Sequence, residues 1–141
     1  MRNYVIPSLL GLFLFAAPAL AQDCGELCGT WELVSVKWTR TDGTSGENTK
    51  ADTPSMKVIN HTHFSLTRKN ADEFAGHAGR YTLDGDTYTE HIQHASNPYI
   101  VGQSFTFKSE VIGDTWRISG SVEDLKLEEV WRRVKAQREG S

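Results

Sequence analysis

The sequence predicts an all-β protein: eight short strands laid antiparallel, up and down, and closed into a barrel. Three observations carry this. About eight runs of strand-forming residues follow one another, each bounded by Gly, Asp, Asn or Ser turns. Most links between them are far shorter than the dozen or more residues that a parallel crossover needs. No segment shows an apolar stripe repeating every 3.6 residues. Antiparallel neighbours in such a row remove their exposed edges by closing on themselves. An open sandwich is the alternative arrangement.

The ends of the chain read as something other than the domain. Residues 1–21 have the form of a signal peptide: Arg2, an apolar run from Val5 to Leu20, and Ala19-Leu20-Ala21 before the cleavage point. The run is interrupted by Pro7 and Pro18 and falls short of a membrane span of about 20 apolar residues. The expected protein is therefore exported, periplasmic or secreted, with no membrane span. Residues 22–28 form a leader carrying Cys24 and Cys28, 29–135 the barrel, and 136–141 a polar tail. The whole chain has 15 basic and 18 acidic residues, net −3; losing Arg2 with the signal leaves −4. That mildly acidic balance, without a basic run, excludes nucleic acid as a partner.

Both cysteines lie in the leader, and export puts them in an oxidising compartment. A small local disulfide and a pair of free thiols both fit. C-x-x-x-C lacks the second Cys/His pair of a structural zinc site and is not the C-x-x-C redox spacing.

The strands follow in order. Thr30–Thr39 alternates with apolar groups on both faces, Trp31 and Leu33 on one, and Val34, Val36 and Trp38 on the other. A polar loop is expected over 40–55. Ser55–Asn60 and His63–Lys69 form two strands about a turn near Asn60-His61-Thr62. The stretch 70–79 reads as a connection anchored by Phe74. Arg80–Leu83 and Thr87–His94 flank Asp84-Gly85-Asp86, the strongest hairpin signal present. After a loop at Ala95–Tyr99 come Gln103–Ile112, Thr115–Ser119 and Leu125–Val134, separated by turns at Gly113-Asp114 and Gly120–Asp124.

A resemblance supports this layout. Gly29-Thr30-Trp31-Glu32-Leu33-Val34-Ser35 resembles the G-x-W opening of lipocalins and the first strand of fatty-acid-binding proteins. Thr62-His63-Phe64, Gly85–Ile92, Ser104–Lys108, Gly113–Trp116 and Leu127–Trp131 are similar to an uncharacterised family of exported bacterial lipocalin-like domains. The resemblance implies an up-and-down barrel and carries no established activity. It departs from fatty-acid-binding proteins in lacking a helical lid after the first strand. It also implies that the first and last strands pair, setting Trp31 beside Arg132 or Arg133.

Strand parity selects the interior. Tyr88, Glu90, Ile92 and His94 form the more apolar face of their strand, as do Leu125, Leu127, Glu129 and Trp131 of the last. Tyr81, Tyr88, Glu90, Phe105, Phe107, Glu129 and Trp131 are therefore the candidate ligand-binding residues: aromatic walls with two carboxylates as the polar end. Burial alone raises a carboxyl pKa; a structural hydrogen bond or an ion pair with Arg133 would be the plainer role for either glutamate. No metal site is expected: a turn separates His61 from His63, His91 and His94 point to opposite faces of a strand, and His77 sits in a loop. No cofactor motif and no nucleophile motif is present, and no catalytic residue can be named. The expectation is an exported barrel that binds a small hydrophobic or amphipathic molecule. Its alternatives are a small isomerase, cyclase or lyase using an inward carboxylate, and a filled barrel forming a homodimer through Val34, Val36 and Trp38.

Overall fold

Nine strands build an eight-stave barrel in the computed structural model, which describes residues 23–136. They are β1 (Gly29–Arg40), β2 (Ser45–Thr49), β3 (Ser55–Ile59), β4 (His63–Asn70), β5 (Glu73–Asp84), β6 (Thr87–Ala95), β7 (Ser104–Ile112), β8 (Thr115–Val122) and β9 (Leu125–Arg133). Every pairing is antiparallel; from β3 onward each strand lies beside its neighbour in sequence, and β9 returns to β1 to close the ring. The signal peptide expected over 1–21 and nearly all of the tail fall outside the described residues.

The stave that outnumbers the expectation is a split one. β2 pairs with Ser35–Thr39 of β1, and β3 pairs with Gly29–Glu32 on the same edge. The two thus lie end to end, joined by a turn in which Asp52 accepts from the Thr49 amide at 2.7 Å. The 40–55 stretch expected as loop therefore contains a strand, imposed by the open edge of β1 rather than by its own Ser, Gly and Asn content.

Residues 70–79 are corrected in the same way. β5 begins at Glu73 and pairs with β4 through His77 and Gly76. The glycines that suggested a connection are there for close approach: a Cβ on Gly76 would stand 2.5 Å from the Leu66 carbonyl oxygen, and one on Gly79 would stand 1.9 Å from that of His91. Phe74 anchors nothing; it is 73% exposed on the outer wall.

Two β-bulges decide which side chains face inward. On β1 the register slips between Leu33 and Ser35, so Val34 is the extra residue. Strand parity then reverses, turning Val36 into the core at 6% exposure and aligning Trp38 with inward Leu127. The expected outward stripe of Val34, Val36 and Trp38 does not exist. On β6, Ile92 and His94 oppose the adjacent residues Gly79 and Ala78, leaving Gln93 as the extra. His94 turns out to solvent, on the side already occupied by His91, and Ala95 turns in.

Candidate functional site

The interior has two unlike ends. At one lie the β3–β4, β5–β6 and β7–β8 turns, the start of β1 and the end of β9. Here Trp31, Trp116, Trp131, Tyr88 and Phe64 are at most 2% exposed and fill the barrel. The Trp116 ring lies 5.5 Å from Trp31, 6.2 Å from Trp131 and edge-on to Tyr88 at 5.4 Å. Each indole N–H has an internal acceptor: Leu27 carbonyl at 3.0 Å for Trp31, Ser109 Oγ at 2.9 Å for Trp116, Glu129 Oε2 at 2.8 Å for Trp131. A single 3-10 turn, Gly25–Leu27, closes this end, held by the Cys24–Cys28 disulfide. The Arg133 guanidinium donates to the carbonyls of Cys28 and Glu26 and stacks 4.2 Å from the Trp31 ring centroid. The expected Trp31–Arg133 neighbourhood is present, and the leader pair is a disulfide.

At the other end, where β1–β2, β4–β5, β6–β7 and β8–β9 connect, inward positions are only half-buried. Trp38, Asn48, Arg68, His77, Ala95, Val122 and Leu127 all share this partial exposure. Side chains that face the barrel axis yet touch water mark a mouth.

Between plug and mouth sits a buried ion pair. Lys57 Nζ lies 2.7 Å from Glu90 Oε1, with side-chain exposures of 2% and 3%. The ammonium is also 5.1 Å from the Trp131 ring, 5.2 Å from Trp116 and 5.8 Å from Tyr88. Tyr88 donates to Glu90 Oε1 at 3.1 Å. The second carboxylate oxygen faces His77 Nε2 at 3.5 Å, and His77 is 23% exposed. A chain of contacts thus runs from solvent through His77 to Glu90, Lys57 and the aromatic plug.

This geometry alters the electrostatic expectation. Burial does push the Glu90 carboxyl pKa up, but the adjacent Lys57 charge and the His77 contact outweigh it and bring it down to about 2. Glu90 is therefore an anion at any ordinary pH. Burial, with the Glu90 charge beside it, holds the Tyr88 hydroxyl well above its usual range, and burial raises Tyr81 as well.

All seven residues singled out from the sequence lie inside: Tyr81, Tyr88, Glu90, Phe105, Phe107, Glu129 and Trp131 are at most 7% exposed. They do not form one constellation. Tyr88 and Trp131 belong to the plug, and Tyr81 donates to the Asn60 carbonyl at 2.7 Å. Glu90 meets Lys57 and His77, while Glu129 accepts from Trp131. Neither glutamate pairs with Arg133. Lys57 was missed, because Met56 and Val58 make the other face of β3 look like the core; both are in fact over 40% exposed. His77 was missed because its strand read as a connection.

An open groove of about 510 Å³ crosses the outer wall, lined by Lys37, Glu47, Lys108, Glu110, Arg117 and Glu128. Lys37 stands opposite both Glu128 and Glu47 in register, and Glu110 opposite Arg117, so charges of both signs alternate across a solvated face.

The Domain of unknown function DUF4488 matches residues 26–140. The chain belongs to the DUF4488 family. A lipocalin-like protein from Bacteroides uniformis has the same fold at TM-score 0.55 and 20% identity, over 78% of this DUF4488 chain and 100% of that one. An uncharacterised protein from Bacteroides eggerthii reaches TM-score 0.48 at 16% identity, over 76% and 98%. No curated protein matches. With the closed ring of β1 to β9, the likeness to the Bacteroides uniformis protein shows that this DUF4488 chain has a lipocalin-like barrel fold.

Proposed function

We propose that this protein is an exported carrier or receptor for a small, partly apolar molecule, which enters the barrel mouth and rests on the Lys57–Glu90–His77 group. A closed barrel of eight staves holds at most one small ligand. Because Trp31, Trp116, Trp131 and Tyr88 occupy the deep half, the ligand is confined to the mouth half, against Leu127, Val122, Ala95 and Trp38. The observation that carries this reading is the difference in burial between inward residues at the two ends, with a buried ion pair linked to the open one by His77. Apolar walls with a few convergent polar groups are the usual make-up of a small-molecule site.

The enzyme reading is disfavoured by charge. A general acid or base works best with a pKa near the operating pH, whereas Glu90 is held low and Tyr88 high. The filled-barrel reading draws on the exposed apolar row Met56, Val58 and Phe74 of the outer wall.

Titration with the fluorescent amphipath anilinonaphthalene sulfonate separates these. Leu127→Trp narrows the mouth and is expected to abolish probe binding while leaving the melting curve cooperative. Unchanged binding in Leu127→Trp, with loss in Met56→Lys/Val58→Lys, would place the apolar site on the wall and overturn the proposal.

A further inference from the structure

The closed end carries a second cluster of reactive side chains, independent of the mouth. Cys24 is 1% exposed, Cys28 half-buried and His61 exposed on the β3–β4 turn. His61 Nδ1 lies 3.6 Å from Cys24 Sγ. The two sulfurs and an imidazole nitrogen all fall within 4.8 Å of one another. Two soft sulfurs and one imidazole, drawn together around one point, are the donor set that thiophilic ions select.

The cysteine segment has anchors besides the S–S bond. Leu27 is 3% exposed and its carbonyl accepts from Trp31; the Cys28 and Glu26 carbonyls accept from Arg133. Asp23 accepts from the Gly25 amide at 2.9 Å. On the facing side, Asn60 Oδ1 accepts from the amides of Thr62 and His63 at 2.9 and 2.8 Å, fixing the turn that presents His61. Opening the disulfide removes one of several anchors.

We propose that, once reduced, Cys24, Cys28 and His61 bind a single thiophilic d10 cation, Zn²⁺ or Cu⁺, at the closed end of the barrel. The step balances with an external dithiol: it gives two electrons and two protons to the Cys24–Cys28 bond and itself becomes a disulfide. The metal then displaces one proton from each thiol and takes neutral His61 as its third protein ligand. Zn²⁺ would keep a water in the fourth position, as three-ligand zinc sites do; Cu⁺ would be complete with three. The disulfide thereby acts as a redox lock on a metal site.

The test uses the purified protein, oxidised and after treatment with dithiothreitol followed by its removal. Co²⁺ serves as the spectroscopic probe through its thiolate-to-metal absorption, with Zn²⁺ in competition and Cu⁺ titrated against a chromophoric chelator. Reduced protein is expected to take up one equivalent, and oxidised protein none. Cys24→Ser/Cys28→Ser abolishes the signal, and His61→Ala, at an exposed position, weakens binding by about tenfold or more. Binding by reduced protein no better than by the double serine variant would overturn the proposal, as would wild-type affinity in His61→Ala. Loss of a cooperative melt on reduction would overturn it too, because the site requires the segment to stay anchored.

Discussion

The two ends of the barrel are built from the same eight staves and differ in almost everything else. One is stacked with three tryptophans whose N–H groups all find internal acceptors. The other leaves Trp38, Arg68 and His77 half in water. Strand number fixes the bore, but the size of inward side chains decides where it is full. Packing and solvent exposure are therefore divided along one axis, with Lys57–Glu90 at the boundary.

The largest expected effect is at the plug. Trp116→Ala removes a fully buried indole and should cost about 4 kcal/mol in chemical denaturation, while Trp38→Ala at the mouth costs about 1 kcal/mol. Equal costs would break the comparison. Glu90→Gln comes next: it strands the Lys57 ammonium in an aromatic setting, for a loss of about 3 kcal/mol. Lys57→Met/Glu90→Leu, which removes both charges, should recover most of that loss.

The boundary pair also predicts a pH profile. The folded-state pKa of Glu90 lies near 2, below its ordinary 4.5. Its contribution is then fully present above about pH 4.5 and is lost as pH falls toward 2. Wild-type melting temperature should drop across that window and Glu90→Gln should lack that component; parallel curves would contradict the assignment. A smaller loss than at Trp116 or Glu90, about 1–2 kcal/mol, is expected of Arg133→Ala, which unstacks Trp31 and frees two carbonyls at the closed end. The same loss without any change in the Trp31 environment would remove Arg133 from the plug.

Much of this architecture was readable in residue order. Short links forced antiparallel pairing, Asp84-Gly85-Asp86 set the β5–β6 hairpin, and the Gly29-Thr30-Trp31 opening pointed to closure by β9. Parity placed Tyr88, Glu90, Glu129 and Trp131 inside correctly. What could not be read were features set by a neighbour. The Val34 and Gln93 bulges each add one residue and flip every side chain beyond it, which misplaced Val36, Trp38 and His94. β2 and the first half of β5 take strand form because an open edge lies beside them, against weak local propensity. On β3 the apolar pattern favours Met56 and Val58, so Lys57 was hidden. The missing signal was charge balance, since two glutamates facing an apolar interior call for a buried cation. His61 was hidden likewise: nothing in C-x-x-x-C indicates that a residue more than 30 positions away completes the cluster.

The chain holds four tryptophans, two turned by the first strand and two by the last pair, and their indole N–H signals report on both ends at once. A neutral paramagnetic co-solute added to ¹⁵N-labelled protein should broaden the Trp38 indole resonance and leave those of Trp31, Trp116 and Trp131 sharp. Broadening of Trp116 or Trp131 to the same degree as Trp38 would mean that solvent enters from both ends, and the division of the barrel into plug and mouth would be wrong.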